Sequence, residues 1–501
     1  MNKSNPKTSS DNYDVVVVGA GFSGMYLVKK LRDLGLNFVI LEQGGDVGGT
    51  WYWNRYPGAR CDIPTVEYSY SFDKELEQSW DWEELMAAQP EILTYANQVA
   101  DNYDLRDSMR FNTRVATADF DENEHSWTVV TDTGDEYLAR YFIMATGCLS
   151  VPNWPDIEGR EDYAGRTIHT GLWPHENVDF TGLRVGIIGT GSSAVQSIPE
   201  IAKTAKELKV FQRTPVYTFP AGNHALDDDF RADIKARYED IRETQRGSLG
   251  GMAMFGVMGR LQEVGTEKIA DCSEEERERR LVEEGLPSLR RYADVGLDLE
   301  ANELACDLYR RHIADIIDDP ETAKALMPRG YPMGCKRQVV DIGYYEAFNR
   351  DNVSLIDLRE DPIERINESG VCTASGQHDV DVLIYATGFD AMTGAINNVS
   401  ITGRSGTKLK DKWENGPRSY LGLQIAGFPN LFTVTGPGSP SVLSNMLVSI
   451  EQHCDWITDC IDHLNSNGLN TIEAEQQAED QWVKHVFEVA DGTMLTAPSC
   501  S

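Results

Sequence analysis

Two apolar strands that each run straight into a glycine-rich turn and then a helix constrain this chain more than any other feature. Asp14-Val15-Val16-Val17-Val18 is a β-branched run of the kind buried on both faces of a parallel sheet, and it feeds Gly19-Ala20-Gly21-Phe22-Ser23-Gly24. Residues 25–34 read as a helix closed by Gly35, and Phe38 to Leu41 as a second strand ending at Glu42. The pattern returns further on. Arg184 to Ile188 leads into Gly189-Thr190-Gly191-Ser192-Ser193-Ala194, then a helix through Gln196 that Pro199 interrupts or kinks. Leu208 to Phe211 follows as a strand, ending at Gln212-Arg213-Thr214-Pro215. Strand, tight turn, helix and strand together are the full context of a dinucleotide-binding fingerprint.

The chemistry of each copy follows from its residues. Gly19 permits the tight turn, Gly21 lets the backbone approach a pyrophosphate, and Gly24 packs helix on strand. Free N–H groups at the helix start, with Phe22 and Ser23 in the first turn, offer partial positive charge to phosphate. Glu42 can accept hydrogen bonds from ribose hydroxyls. At the equivalent place the second copy has Arg213, which would attract a 2′-phosphate that a carboxylate would repel. The second site therefore favours NADPH over NADH.

At 501 residues the chain needs more than one core. A net charge of −34 argues against nucleic acid and against an anionic membrane surface, since both need clustered Lys and Arg. The nine cysteines form no Cys-x-x-Cys pair, which fits free thiols in a reducing compartment and disfavours a dithiol–disulfide reductase. Residues 1–14 are polar with no signal-peptide core, and no apolar run approaches the roughly 18 residues of a membrane span. The expectation is a soluble cytoplasmic monomer without a metal site.

Ile143-Met144-Ala145-Thr146-Gly147 and Leu383-Ile384-Tyr385-Ala386-Thr387-Gly388 are strands closing on small-residue turns, where the chain would cross between domains. Residues 226–326 are charged and helix-like, and Ser273-Glu274-Glu275-Glu276 opens one helix as a capping box. Residues 247–259 are Gly- and Met-rich, with Met252, Met254, Phe255 and Met258. Internal packing or an apolar helix is expected there, with a mobile loop over a substrate channel as the alternative. No internal repeat is apparent beyond the paired dinucleotide units.

Four further stretches carry a resemblance. Tyr163-Ala164-Gly165-Arg166-Thr167-Ile168-His169-Thr170-Gly171-Leu172-Trp173-Pro174 resembles aromatic-x-Gly-x-x-x-His-x-x-x-Trp-Pro, the signature of type I Baeyer–Villiger monooxygenases, with Tyr163 where Phe is usual. Gly49-Thr50-Trp51-Tyr52-Trp53-Asn54-Arg55-Tyr56-Pro57-Gly58-Ala59-Arg60-Cys61-Asp62 matches a second family motif at every specified position. Gly334-Cys335-Lys336-Arg337 with its downstream Asp341-Ile342-Gly343-Tyr344-Tyr345, and Gly436 to Met446, are similar to the phenylacetone and steroid monooxygenase branch.

The resemblance implies an α/β fold with two Rossmann-like domains, for FAD and NADP, and a helical insertion. Residues 1–148 and 387–501 would form the FAD domain, 149–225 and 327–386 the NADP domain, and 226–326 the insertion. Ketones would be oxidised to esters or lactones with NADPH and dioxygen, through a flavin peroxide and a Criegee adduct. By resemblance Arg337 supplies the permanent cation that such an anion needs, with Asp62 as its counterion. Thr50, Trp51, Tyr68, Val115 and Met446 join the first fingerprint around FAD. Arg60, Cys61 and Asp62 lie where FAD and nicotinamide meet. Thr190, Gly191, Ser192, Ser193 and Gln196 line the NADP site, and Lys336, Arg213 and Thr214 grip its 2′-phosphate.

His169 is assigned a structural role at the domain connection rather than acid–base catalysis. Rival readings are a flavin-containing heteroatom monooxygenase, an uncoupled NADPH oxidase and a nucleotide-binding sensor. Trp173-Pro174 and the context of Lys336-Arg337 favour the ketone-oxidising branch. Family members continue with Ser-Trp-x-x-Gly-Ala-Asn-x-Pro-Gly, whose Trp contacts NADP, whereas the sequence here stops at Ala497-Pro498-Ser499-Cys500-Ser501. A protein ending there is expected to hold NADP⁺ weakly and to release hydrogen peroxide.

Overall fold

The structure, a computed structural model, describes residues 11–255, 260–261, 265–337 and 339–500. Its two largest sheets each grow outward from a fingerprint strand. In the first, of eight strands, Asp11–Val18 pairs in parallel with Phe38–Leu41 on one side and Glu136–Met144 on the other. Met109–Arg110 extends the first side; Ser126–Thr131, Val115–Asp121 and Ser400–Thr402 extend the second. Leu431–Thr433 pairs with the last residues of Glu136–Met144. The β-branched run works on both faces: Val15 and Val17 enter one core beside Tyr26 and Val28, and Val16 the opposite core beside Trp127 and Phe142. A fully buried valine stabilises by roughly 1.5–3 kcal/mol, so a polar substitution in this run would break the sheet.

The second sheet is parallel throughout, in the order Arg166–His169, Val382–Tyr385, Arg184–Ile188, Glu207–Gln212, Val353–Asp357. The chain leaves the first sheet after Met144 and rejoins it at Ser400. This is an α/β fold with two dinucleotide-binding units.

Helices follow each fingerprint. Phe22–Asp33 packs against Met446–Ser466, joined by a Tyr26 to Asp455 hydrogen bond of 2.9 Å. Ser192–Ala202 runs through Pro199, so of the two expectations, interruption or a kink, the helix is not interrupted. An interior proline costs about 3 kcal/mol. Burial of Val195, Ile198, Ile201 and Ala202 in the second core offsets that cost. Between the sheets' strands lie Asp228–Gly247, Glu274–Glu284, Leu299–Ile316 and Pro320–Leu326. Ser273 caps the second of these, its hydroxyl accepting from the Glu276 amide.

One expectation changes here and another holds. Cys335 and Cys500 are joined by a disulfide, so not all nine cysteines are free thiols. Their Cα atoms lie 5.5 Å apart across 165 residues of chain, a proximity that spacing along the sequence does not encode. Seven others remain free, among them Cys61, Cys148, Cys272 and Cys454. The Gly- and Met-rich stretch packs internally: Ala253 and Met254 are buried, and Met254–Phe255 pairs with Arg260–Leu261. Met258 lies outside the described residues.

Candidate active site

Each glycine of the first turn has backbone close by. Gly19 has φ +107°, and a Cβ there would sit 2.6 Å from the Ala145 carbonyl oxygen. At Gly24 a Cβ would collide with the Gly19 carbonyl, which enforces the close helix–strand packing. Gly21, at the helix start, faces Gly49, so the aromatic loop rests directly on the turn. No side chain caps that helix, leaving the N–H groups of its first turn for a ligand. Glu42 is buried and accepts from the Ala20 amide at 2.7 Å and the Gly44 amide at 2.6 Å. Burial pushes its carboxyl up, against the pull of those two donors. Val115 is buried at the start of its strand, while Thr50 is exposed.

The second turn repeats the design with more room. A Cβ at Gly189, φ +111°, would collide with the Ala386 carbonyl, whereas one at Gly191 would meet nothing within 4 Å. That open approach suits a pyrophosphate. Thr190 donates to the Thr214 carbonyl at 2.9 Å, which pins the glycine turn to the end of the neighbouring strand. Ser193 meets the Thr170 hydroxyl at 3.0 Å, and Ser192 opens the helix beside it. Arg213 is exposed at the strand's end. Lys336 lies over the Tyr331 ring at 5.4 Å, and Tyr331 donates to the Pro215 carbonyl at 2.5 Å. Lys336 thus reaches the 213–215 turn through Tyr331.

Gln196 joins the two units. Its amide oxygen accepts from Tyr56 at 2.9 Å and from the Arg60 amide at 3.4 Å, and its nitrogen donates to the Arg60 carbonyl at 3.2 Å. A Cβ at Gly58, φ +78°, would collide with the Gln196 carbonyl, so this loop needs glycine where it presses on the helix. Arg60 turns away, pairing with Glu84 at 2.8 Å.

At the end of that loop Asp62 meets Arg337. The Arg337 Nη2 and Nε donate to Asp62 Oδ2 at 2.6 and 3.2 Å, and Nη1 donates to the Val442 carbonyl at 3.4 Å. The side chains are 48% and 25% exposed, so the pair faces open space rather than the core. Asp62 raises the pKa of Arg337 above the ordinary guanidinium value, and the cation persists at any working pH. Around it burial pushes Tyr56, Cys61 and Tyr68 up, so all three stay protonated and neutral. Tyr68 accepts from Trp51 Nε1 at 3.2 Å, linking the pair's surroundings to the aromatic loop. Met446, half-buried, heads the helix that follows Val442.

His169 is elsewhere in its commitments. It is 1% exposed, its Nδ1 accepts from the Gly171 amide at 3.0 Å, and its ring lies 5.0 Å from Trp154. Burial lowers its pKa and keeps it neutral. Three groups at the site escaped the reading of the sequence. Gln89 donates to the Trp51 carbonyl at 2.5 Å, Val442 holds Arg337, and Asn445 caps the helix beginning at Met446. Val442 and Asn445 lie inside the Gly436 to Met446 stretch, which could have marked them, as the aromatic motif could have marked Tyr56; Gln89 had no such signal.

A permanent cation held by a carboxylate, with its loop braced on the second fingerprint helix, can stabilise an oxyanion. Comparisons with known proteins place the whole chain among its relatives. Residues 16–253 match the family model described as pyridine nucleotide-disulphide oxidoreductase. A Baeyer–Villiger monooxygenase from Pseudooceanicola batsensis is 41% identical over 500 residues, covering 98% of this chain and 89% of that protein. Oxidised steroid monooxygenase bound to NADP superposes with a TM-score of 0.91 at 47% identity, covering 97% of this chain and 92% of that one. The OTEMO complex with FAD and NADP gives 0.92 at 39% identity, with 97% and 92% covered.

Proposed function

The chain belongs to the Baeyer–Villiger monooxygenase family, and from that premise we propose how its own residues carry the chemistry. It is an FAD-dependent enzyme that uses NADPH and oxidises ketones to esters or lactones. When bound, FAD supplies activated oxygen and NADPH supplies the two electrons. Gly19, Gly21, Phe22, Ser23, Gly24 and Glu42 would hold the adenine dinucleotide end of FAD. Thr50, Trp51, Tyr68, Val115 and Met446 would surround the rest of it. Thr190, Gly191, Ser192 and Ser193 would cradle the second pyrophosphate, with Arg213, Thr214 and Lys336 at the 2′-phosphate. Gln196, Arg60 and Cys61 would set the spacing between the two cofactors.

Arg337 is the residue on which the chemistry turns. As the ketone carbonyl is attacked its oxygen gains negative charge, and a guanidinium that never loses its proton stabilises that charge. Asp62 keeps the guanidinium from swinging into solvent. The ion pair itself, 2.6 Å long and beside a loop braced on the second fingerprint helix, is the observation that carries this reading. We also assign dioxygen as co-substrate, and a monomeric, cytoplasmic enzyme. The acidic balance and seven free cysteines support the latter two. Among the described residues no helix is long and apolar enough to cross a membrane.

The test is product analysis on linear, aryl, cyclic and steroidal ketones beside a thioether and a tertiary amine. Esters or lactones from at least one ketone class are expected. Oxidation of the heteroatom compounds alone would overturn the reading.

A further inference from the structure

Glu67 is an acid held inside the protein. It is completely buried, and its carboxylate grips main chain: Oε2 accepts from the Ala253 amide at 2.7 Å and Oε1 from the Met254 amide at 2.9 Å. Gln245 Nε2 reaches the same carboxylate at 3.4 Å, and Gln245 is held in turn by Arg242 at 2.9 Å. Charge-assisted bonds to two successive amides fix the path of a segment more firmly than side-chain packing does.

What is fixed is tied through Asn445 to the segment that holds Arg337. Glu67 precedes Tyr68, and its carbonyl accepts from Asn445 Nδ2 at 2.8 Å. The Asn445 amide donates to the Gly250 carbonyl at 2.8 Å, and its side chain caps the Leu447 amide at 3.0 Å. A Cβ at Gly251, φ +65°, would come within 3.1 Å of the Asn445 Cβ. Residues 248–254 are therefore stitched between the 65–68 turn and the head of the helix Met446–Ser466. That head follows Val442, the residue that holds Arg337.

We propose that Glu67 is a specificity-positioning residue: by clamping the Ala253 and Met254 amides it sets residues 248–254 as a wall beside the Arg337–Asp62 pair and so limits the size of ketone admitted. The proposal rests on the ketone reading above. Glu67 touches no reacting atom. It acts through the wall.

The experiment is Glu67→Gln in the full, FAD-loaded chain. A glutamine keeps one acceptor and turns an NH2 toward the other amide, so the clamp opens without loss of volume. Hydrogen exchange at the Ala253 and Met254 amides should speed up about 10-fold or more. The ratio of kcat/KM for cyclohexanone to that for 2-phenylcyclohexanone should move at least about 5-fold, roughly 1 kcal/mol. FAD content and the rate of flavin reduction by NADPH should hold. Unchanged exchange, or faster exchange with an unchanged ratio, overturns the proposal. An equal loss on both ketones, or loss of FAD, marks Glu67 as merely structural and also overturns it. Gln245→Met, which removes the outer donor together with the acceptor of Arg242 Nη1, should shift both readouts in the same direction by less, and a null result there in a folded protein counts against the clamp. If the parent enzyme forms no ester from any ketone, the functional reading fails by itself, and the exchange rates alone decide the clamp.

Discussion

Asp62→Asn isolates charge from shape at the site. Asparagine has the volume of aspartate and keeps an oxygen for the Arg337 Nη2, but it carries no charge. Two donors of Arg337 converge on Asp62 Oδ2 at 2.6 and 3.2 Å. Unit charges about 3 Å apart attract by about 1.4 kcal/mol at the permittivity of water and about 5.5 kcal/mol at an effective value near 20. With Arg337 48% and Asp62 25% exposed, the pair sits near the lower end, and about 1–2 kcal/mol is the loss to expect. The guanidinium keeps its proton regardless, so what is lost is its placement. A penalty of about 1–2 kcal/mol in the oxygen-transfer step is a slowing of roughly 5–30-fold. The assay is ester formed per minute at saturating NADPH, run beside stopped-flow reduction of the flavin, which should change little. If Asp62→Asn abolished ester formation outright, or left it at the parent rate, Asp62 would not be a counterion that merely places Arg337.

Two other expectations follow from the same structure. Arg213→Ala should raise the KM for NADPH about 5–30-fold, the worth of one exposed charge-assisted contact, with little change for NADH; equal losses with both cofactors would remove Arg213 from the phosphate site. Burial raises the Asp341 carboxyl from 3.8 to about 7, despite its bonds from the Tyr344 amide at 2.5 Å and Thr218. The folded chain thus binds that proton more tightly than the unfolded chain, so this group's stabilisation is full below about pH 4 and is lost as pH rises to about 7. Urea midpoints measured from pH 4 to 8 should therefore decline less steeply in Asp341→Asn than in the parent, and parallel profiles would contradict the assignment.

Much of the fold was legible because it is local. The Asp14 to Val18 run, its glycine turn and the helix after it are specified within about 20 neighbouring residues, and the structure reproduces that order. The second unit was equally plain up to Pro199, where the sequence left interruption or a kink open and burial in the second core carries the helix through. The site is different, because its parts come from distant stretches. Asp62 and Arg337 are 275 residues apart, and only resemblance to a family joined them on paper. The Cys335–Cys500 bond, the Gln196 brace on Tyr56 and Arg60, and the Glu67 clamp on Ala253 and Met254 are side-chain contacts across folded surfaces. No periodicity or spacing announces such contacts.

The central claim is that a fixed cation at Arg337 makes oxygen transfer to a ketone possible. Arg337→Ala tests it in one measurement: ester formed per NADPH consumed, on a ketone the parent enzyme converts. FAD should stay bound and NADPH should still be consumed, because neither fingerprint is touched. Ester formation should fall by about 10²–10³, the roughly 3–4 kcal/mol that one oxyanion-stabilising group supplies. The reducing equivalents should appear as hydrogen peroxide instead. Ester formed at near the parent yield per NADPH would contradict the account.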